Sequence, residues 1–453
     1  MARYFGTYGI RGKLDLLTPE FVSGMCAAFG STLQGGTVII GTDARTSRDM
    51  IKHAAIAGLL SSGCEVIDLG VVPSPTVELE VKRQRAAGGV IVTASHNPPE
   101  WNALKFVGRE GIGLTKEKGE QIEALFESGR FKRADWDGLK GVSRYELAIR
   151  EHIDEIRKHI DAEAIAKRKP FLVLDCGNGV AGLFAPYLFR ELGCRIITLN
   201  AQPDGFFPGR NSEPTRENLA NLIEAVKALK ADMGIAWDGD GDRVIFIDEN
   251  GGYVWGDKSF ALSARIRMRE KKGVVATTVA TSDVVKEVVE ASGGKIEYTK
   301  VGAPYIAERM VETKAVLGGE EVGGVVWPEI SLGKDGFMTA AKIVEEVCRS
   351  GKPLSTLIAS LPTYFNAKGK VDCGMKDKAK ILSGICSEFS REKGAEAITI
   401  DGIRINLPDG WVIARASGTE NYFRVFAEAK TQAMADGLLA KYKNKVEEII
   451  SKV

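Results

Sequence analysis

Residues 171–200, FLVLDCGNGVAGLFAPYLFRELGCRIITLN, hold the pattern that decides the fold. FLVLDCGNG (171–179) is an apolar run entering a glycine-containing turn, the signature of a strand followed by a tight bend. A helix follows to about Leu192, and CRIITLN (194–200) is the next strand. Further on, the polar loop QPDGFFPGRNSEPTREN leads to the helix NLANLIEAVKAL. The strand DMGIAW (232–237) then runs straight into DGDGDR. The order is β-α-β-α-β. Parallel strands joined through helices cross over in the right-handed sense. In such sheets ligands sit beyond the carboxyl ends of the strands.

The same order occurs on both sides of this unit. Upstream come the strand TVIIGTD (37–43), a helix over about 49–61 and the strand EVIDLG (65–70). A second helix follows Pro73 and Pro75, then GGVIVTASHNP (88–98). Downstream come VVATTVA (274–280), the helix VVKEVVEAS, KIEYTKVG (295–302), the helix IAERMVE and AVLGGEEVGG (315–324). Each unit closes on a polar, glycine-containing loop after its third strand, and units facing one cleft would bring the three loops together. The last stretch differs: EAITIDGIRINL and WVIARASGTENYFRVFAEA are alternating strands, flanked by helices near 376–391 and 432–450. The expected fold class is α/β, with three tandem βαβαβ mixed-sheet domains and a C-terminal α+β domain. The expected boundaries are 1–148, 149–252, 253–364 and 365–453.

Composition narrows the function. The chain has 453 residues, with 61 Lys plus Arg against 60 Asp plus Glu, a net charge of +1. That balance argues against nucleic-acid and membrane-surface partners, which usually require a basic excess. With 44% hydrophobic and 27% charged residues, the chain has ample material for globular cores. Its 7 cysteines include no CxxC pair, so neither a disulfide framework nor a thiolate zinc site is expected. The N-terminus MARYFGTYGIRG has no apolar leader, and no apolar run approaches the roughly 18 residues of a membrane span. A reducing cytoplasm fits best. There are 4 histidines, too few for a His-rich metal site. His152 and His159, in YELAIREHIDEIRKHI, read as solvated positions of an amphipathic helix.

Five segments carry chemistry. DGDGDR places Asp238, Asp240 and Asp242 at alternating positions in a turn after an apolar strand. Packed carboxylates repel one another unless a cation sits among them, and oxygen-only ligands select Mg²⁺ or Ca²⁺ over zinc. An EF-hand would use Glu249 at its twelfth position, but its sixth is Arg243 rather than Gly and the flanks read as strands. The other alternative is a solvated acidic turn. TASHNPP places Ser95 after VIVT, with His96 beside it. The pair admits a hydrolase reading or a bare polar turn. Adjacent side chains rarely meet in triad geometry, and no G-x-S-x-G elbow is present. Lys105, in WNALKF, would have a lowered pKa and act as acid or base if desolvated near other cations. In RASGTE (415–420), Arg415, Ser417, Thr419, the Gly418 amide and nearby Arg424 could form an anion nest; a hairpin turn with solvated arginines is the alternative. GGEEVGG puts Glu320 at a loop tip, either as an acceptor for sugar hydroxyls or as a solvated acid. Arg11, in IRG, is either a functional cation or a surface arginine.

FGTYGIRG, TASHNPPEWNALK, DGDGDR, GGEEVGG and RASGTE occur in this order at wide spacing. Together they resemble the α-D-phosphohexomutases (phosphoglucomutase, phosphomannomutase and phosphoglucosamine mutase), most closely the archaeal branch. The resemblance spans essentially the whole chain. It implies four domains around a central cleft and an isomerase that interconverts hexose 1-phosphate and hexose 6-phosphate through a phosphoserine and a bisphosphate. It implies Ser95 as the phosphorylated serine, and Ser95, Asp238, Asp240 and Asp242 as the set holding one Mg²⁺. Lys105, Arg11, His96 and Arg243 would lie around the transferring phosphoryl group. Glu320 and Gly302 would meet the sugar, and Arg415, Ser417, Gly418, Thr419 and Arg424 the phosphate that is not reacting. Hexose 1,6-bisphosphate is the implied activator, small sugar phosphates the implied partners, and a homo-oligomer is allowed. Phosphomannomutase/phosphoglucomutase is favoured narrowly over phosphoglucosamine mutase, with phosphopentomutase, a sugar-phosphate phosphatase and a non-catalytic binder as alternatives. The chain departs from the usual pattern at Val322 (usually Ser), Gly324 (usually His), Ala303 (usually polar), Ala103 (usually Gly) and Asn421 (usually Pro). Val322 cannot hydrogen-bond a hydroxyl, which leaves sugar orientation to Glu320 and backbone groups.

Overall fold

The computed structural model describes residues 4–392, 394–417 and 421–453. Its strands form four sheets. The first sheet contains β1 (Ile10–Gly12), β2 (Thr37–Thr42), β3 (Glu65–Val71), β4 (Gly88–Val92), β5 (Asn102–Gly108) and β6 (Val142–Arg144), in the order β1-β5-β4-β2-β3-β6. The second contains β7 (Phe171–Asp175), β8 (Arg195–Leu199), β9 (Met233–Trp237), β10 (Val244–Asp248) and β11 (Tyr253–Val254), in the order β11-β10-β9-β7-β8. The third contains β12 (Val274–Thr278), β13 (Lys295–Thr299), β14 (Leu317–Glu320) and β15 (Gly324–Val326), in the order β13-β12-β14-β15.

One motif recurs in all three. A central strand (β2, β7, β12) pairs in parallel with the second and third strands of its unit. A fourth strand (β5, β10, β15) then returns antiparallel to the third. Each polar loop is therefore the tip of a third-to-fourth-strand hairpin, at the carboxyl end of the sheet. Short runs that end in polar turns mark the three parallel strands of each unit. β5 stands outside the βαβαβ reading because Ala103, Lys105 and Gly108 interrupt its apolar character.

The longer helices that add to that scheme include Pro19–Thr32, Gly256–Glu270 and Gly336–Ser350. The last is buried along most of its length and packs Phe337, Met338, Ala341 and Val344 into one core with residues of the second and third sheets, including Trp237, Phe246, Phe260 and Val325. The second and third units thus share an apolar core, while the first sheet has cores of its own on both faces.

The fourth sheet is antiparallel, formed by β16 (Phe365–Asp372), β17 (Glu396–Ile398), β18 (Ile403–Leu407), β19 (Gly410–Ala416) and β20 (Tyr422–Ala429), in the order β16-β20-β19-β18-β17. The helices Lys378–Phe389 and Gln432–Ser451 cover it through Ile381, Ile385, Phe389, Tyr442 and Val446. The architecture is α/β in three units and α+β in the last. No helix among the described residues is long and apolar enough to cross a membrane. The seven cysteines are free thiols.

His152 corrects the sequence expectation. It is fully buried, not solvated. Its Nδ1 meets Thr76 Oγ1 at 2.9 Å and its Nε2 meets Asp335 Oδ2 at 2.8 Å, so the helix Ala148–Lys158 turns this position inward between the first and third units. His159, half-exposed beside Glu155, is on the solvent side as expected.

Candidate active site

Ser95 follows the buried strand β4 and takes a left-handed backbone conformation, with φ at 52°. A non-glycine residue holds that conformation only when its surroundings fix it. They do so here. The Ser95 N–H donates to Thr93 Oγ1 (2.9 Å), and its carbonyl accepts from Arg45 Nη2 (3.1 Å) and Ser212 Oγ (2.8 Å). Arg45 is fully buried, paired with Asp43 at 3.0 Å, and also donates to the carbonyls of Asn97, Pro98 and Trp101. The serine loop is wound around one guanidinium, leaving the Ser95 hydroxyl to donate to Asp238 Oδ2 at 2.6 Å.

Asp238, Asp240 and Asp242 form the tip of the β9–β10 hairpin. All three are buried, and each offers a carboxylate oxygen within 4.8 Å of the others. Asp238 Oδ1 accepts from the amides of Gly241 (3.1 Å) and Arg243 (3.2 Å). Asp240 Oδ2 accepts from Ser74 Oγ (2.6 Å) and Lys105 Nζ (2.7 Å). Of the other three oxygens, Asp242 Oδ2 lies 3.2 Å from Lys334 Nζ, and Asp240 Oδ1 and Asp242 Oδ1 are buried without a hydrogen-bond partner among the described residues. Such an oxygen costs about 1–3 kcal/mol. Burial, then the charges of Asp240 and Asp242, push the Asp238 carboxyl well above the usual carboxylate range. Clustered hard oxygens with unfilled acceptor capacity, next to a serine hydroxyl, fit a divalent cation such as Mg²⁺. The strands flanking the loop exclude the EF-hand.

The hairpins touch where Gly239 meets Ser95: a Cβ on Gly239 would stand 2.6 Å from the Ser95 carbonyl oxygen and 2.6 Å from Ser212 Oγ. Lys105, on β5 opposite Ile91, is buried over the Tyr8 ring. Its nearest ionic partners are carboxylates, Asp240 and, at 3.9 Å, Asp242, rather than cations. Arg11, on β1, donates to Asn97 Oδ1 at 2.5 Å and so lies on the serine loop. Arg243 lies 3.8 Å from Asp242 and 3.9 Å from Glu213. His96 Nδ1 is 3.4 Å from Ser95 Oγ. Burial, with Arg243 and Arg11 nearby, lowers the His96 pKa to about 2, which keeps the imidazole neutral. Glu320, at the end of β14, accepts from Lys334 Nζ at 2.7 Å. Burial would raise its pKa, but Lys334 and Arg243 outweigh that and hold it below the usual range.

These residues form one connected group. A second group lies on the fourth sheet. Arg415 and Arg424 are directly opposite each other on β19 and β20. Arg415 pairs with Asp401 at 2.9 Å, and the same carboxylate oxygen accepts the Val301 amide at 3.1 Å. Asp401 therefore ties Arg415 to the turn at Gly302, where φ is 141°. The buried Ser417 donates its amide to the Tyr422 carbonyl at 2.9 Å. Gly418 and Thr419 lie outside the described residues. Like charges placed opposite each other across strands are unfavourable alone and favour an anion between them.

Four family models cover the chain in order: phosphoglucomutase/phosphomannomutase alpha/beta/alpha domains I (residues 2–133), II (150–252) and III (255–365), and the C-terminal domain (370–445). The chain belongs to the phosphoglucomutase/phosphomannomutase family. It is a phosphohexomutase, an isomerase of the α-D-phosphohexomutase class. A phosphoglucomutase/phosphomannomutase of Thermococcus kodakarensis is 45% identical over 442 residues, 96% of each chain. A probable phosphoglucosamine mutase of Methanopyrus kandleri is 38% identical over 455 residues, the full length of both. The crystal structure of a phosphoglucomutase/phosphomannomutase family protein from Burkholderia thailandensis superposes with a TM-score of 0.87 at 28% identity, covering 98% of this chain and 97% of that one.

Several residues of this phosphohexomutase site escape motif reading. Arg45, Ser212 and Arg210, which donates to the Trp237 carbonyl at 2.7 Å and pairs with Asp175, act on backbone far away in sequence. Ser74 and Lys334 bind the acidic loop from other units. Glu78 accepts from Tyr8 OH at 2.6 Å beneath Lys105. The one signal that could have found them is a polar residue within an apolar stretch, as with Glu78 in the largely apolar VVPSPTVEL.

Proposed function

We propose that this phosphohexomutase interconverts hexose 1-phosphate and hexose 6-phosphate through phosphorylated Ser95 and a bound bisphosphate, with mannose or glucose as the sugar. Four parts divide the work: 1–148 carries the serine, 149–252 the acidic trio, 253–364 the sugar-binding glutamate and 365–453 the phosphate clamp. The observation that carries this reading is the 2.6 Å contact of Ser95 Oγ with a buried acidic trio, two of whose oxygens accept no hydrogen bond among the described residues.

Asp238, Asp240, Asp242 and Ser95 would hold one Mg²⁺, which when bound supplies positive charge next to the phosphoryl oxygens. A sugar hydroxyl attacks the phosphorus of phospho-Ser95; the new O–P bond forms as the Ser95 Oγ–P bond breaks. The proton lost by the sugar hydroxyl is balanced by the one gained at Ser95 Oγ. Phosphoryl transfer passes through a loose, highly charged state, so fixed cations and alignment dominate catalysis. Lys105, Arg11 and Arg243 provide that charge, and the neutral His96 adds a dipole. Glu320 orients the sugar, with Gly302 beside it. The clamp of Arg415, Ser417 and Arg424, with Gly418 and Thr419 expected in it, grips the phosphate that is not reacting. The bisphosphate then turns end over end and returns its other phosphate to Ser95, and free hexose 1,6-bisphosphate re-primes a dephosphorylated enzyme.

The mannose/glucose preference follows the relative at 45% identity; relatives at 38–41% named probable phosphoglucosamine mutases support glucosamine phosphate as the second reading. The test supplies Mg²⁺, a trace of hexose 1,6-bisphosphate and glucose, mannose or glucosamine 1-phosphate in parallel, followed by phosphorus NMR. Formation of the 6-phosphate is expected, fastest with mannose or glucose, and Ser95→Ala is expected to abolish it while remaining folded. Inorganic phosphate as sole product would mean a phosphatase, and no turnover a binder. Full activity of Ser95→Ala would rule out the phosphoserine route.

A further inference from the structure

Lys334 is buried and belongs to no segment the motif reading singled out. It forms an isolated antiparallel bridge with Val326, so its side chain starts beside β15. The stem then runs across Gly324. A Cβ on Gly324 would stand 2.4 Å from Lys334 Cδ and 3.3 Å from its Cγ and Cε. The missing side chain at 324 is the channel through which the lysine reaches the site. At the end of that channel Nζ donates to Glu320 Oε1 at 2.7 Å and lies 3.2 Å from Asp242 Oδ2. These two acids sit on hairpin tips of different units. Lys105 contacts the acidic trio from the first unit, whereas Lys334 joins it to Glu320.

We propose that Lys334 is a positioning residue that couples the sugar-binding glutamate to the metal-binding loop. Its ammonium holds Glu320 charged and in place for a sugar hydroxyl, and it shares Asp242 with the divalent cation. The assignment rests on the phosphohexomutase reading of Glu320 and the acidic trio.

Two consequences have opposite signs. Without Lys334, Glu320 loses its charge-assisted partner and holds the sugar less well. Asp242 loses a competing cation, so a divalent ion meets less positive charge and binds more tightly. General loosening of the site would weaken both, so the pair of signs separates a positioning role from a structural one.

The experiment compares the full-length wild type with Lys334→Ala, Lys334→Arg and Gly324→Ala. Mg²⁺ binding is measured by titration calorimetry with magnesium chloride alone, and KM and kcat with mannose 1-phosphate. For Lys334→Ala, Mg²⁺ is expected to bind about 3–10-fold more tightly while KM rises about tenfold or more. Lys334→Arg should keep both within about threefold, by restoring the charge. Gly324→Ala blocks the channel with the lysine still present, and should move both values in the direction of Lys334→Ala; it carries the same readouts should Lys334→Ala not fold. Unchanged KM, Mg²⁺ and sugar phosphate weakening together, or Lys334→Arg as impaired as Lys334→Ala would each overturn the proposal. If the wild type converts no sugar phosphate, the functional reading fails on its own. The calorimetry still decides the charge link, and unchanged Mg²⁺ affinity in Lys334→Ala would then refute it.

Discussion

The left-handed backbone at Ser95 costs a non-glycine residue about 1–2 kcal/mol, and the Arg45 and Ser212 hydrogen bonds to this loop offset it. Rigidity at Ser95 is thus supplied by buried polar groups rather than by apolar packing. Glu78 follows the same logic. Burial, only partly opposed by the Tyr8 hydrogen bond and by Lys105, raises its pKa to about 8. The folded protein therefore holds this proton more firmly than the unfolded chain. The sign of the linkage follows: Glu78 contributes stability in full below its ordinary carboxyl pKa, and that contribution is lost as pH rises toward about 8. Glu78→Gln should flatten this part of the profile and be more stable than wild type at pH 8.5 by at least about 1 kcal/mol. Urea unfolding of both proteins at pH 5.5, 7 and 8.5 checks it, and parallel curves would contradict the assignment. Neither Arg45 nor Glu78 was legible in the sequence. Arg45 is 50 residues from Ser95, and Glu78 is 70 from Tyr8, so no local pattern records either contact. Ser95, the acidic trio and Glu320 were legible because they stand in or beside polar turns at strand ends, whereas Lys105 stood out only beside the serine segment. Gly324 departs from the usual His, and the space it leaves is filled by Lys334.

Each of the three parallel units places its polar loop at the tip of a hairpin whose return strand is antiparallel, and this decides how the loops meet. β4–β5 and β9–β10 approach until Gly239 lies against the Ser95 carbonyl. The approach requires glycine: a Cβ there would meet a backbone oxygen and Ser212 Oγ, both held by other bonds. Gly239→Ala should separate the two tips by several tenths of an ångström and lower kcat by about 100-fold, since small misplacements of reacting groups are that costly. Stability should fall by about 1–3 kcal/mol. Steady-state kinetics with urea unfolding would test it; wild-type kcat would show that the tips need not touch. The parallel strands were legible because their short runs end in turn residues. The return strand β5 was not, because a lysine in mid-strand signals solvent, and only the carboxylates opposite explain its burial. His152 misled in the same way, as its partners Thr76 and Asp335 belong to other units.

The second and third units share one apolar core and form a single block, against which the C-terminal domain rests through a small apolar cluster of Val279, Trp411 and Ile413 and through polar contacts. Arg404 is the centre of that joint. Its fully buried guanidinium donates to the carbonyls of Val279 (3.0 Å) and Thr281 (3.1 Å), pairs with Asp283, and lies between the rings of Tyr298 and Trp411. A joint with a small apolar cluster and several polar contacts permits rotation more readily than a large apolar one. Asp401 holds Arg415 and the Val301 amide through one oxygen, so under the proposed function a phosphate that draws Arg415 away would free Asp401 to shift against Val301. Binding and domain movement would thereby be linked. A bisphosphate that must turn over without escaping needs a closed cleft, and closure is expected when sugar phosphate engages the clamp. Small-angle scattering should show compaction of the wild type with mannose 1-phosphate. Arg404→Ala leaves two carbonyls and Asp283 without their buried partner, at a cost of about 2–4 kcal/mol in the joint. Without ligand this variant should scatter as a more extended particle, and it should raise KM more than it lowers kcat, because the Ser95 site lies elsewhere. A radius of gyration that is the same with and without sugar phosphate would argue against closure, and an Arg404→Ala variant that matches the wild type in both scattering and KM would show that this guanidinium does not govern it.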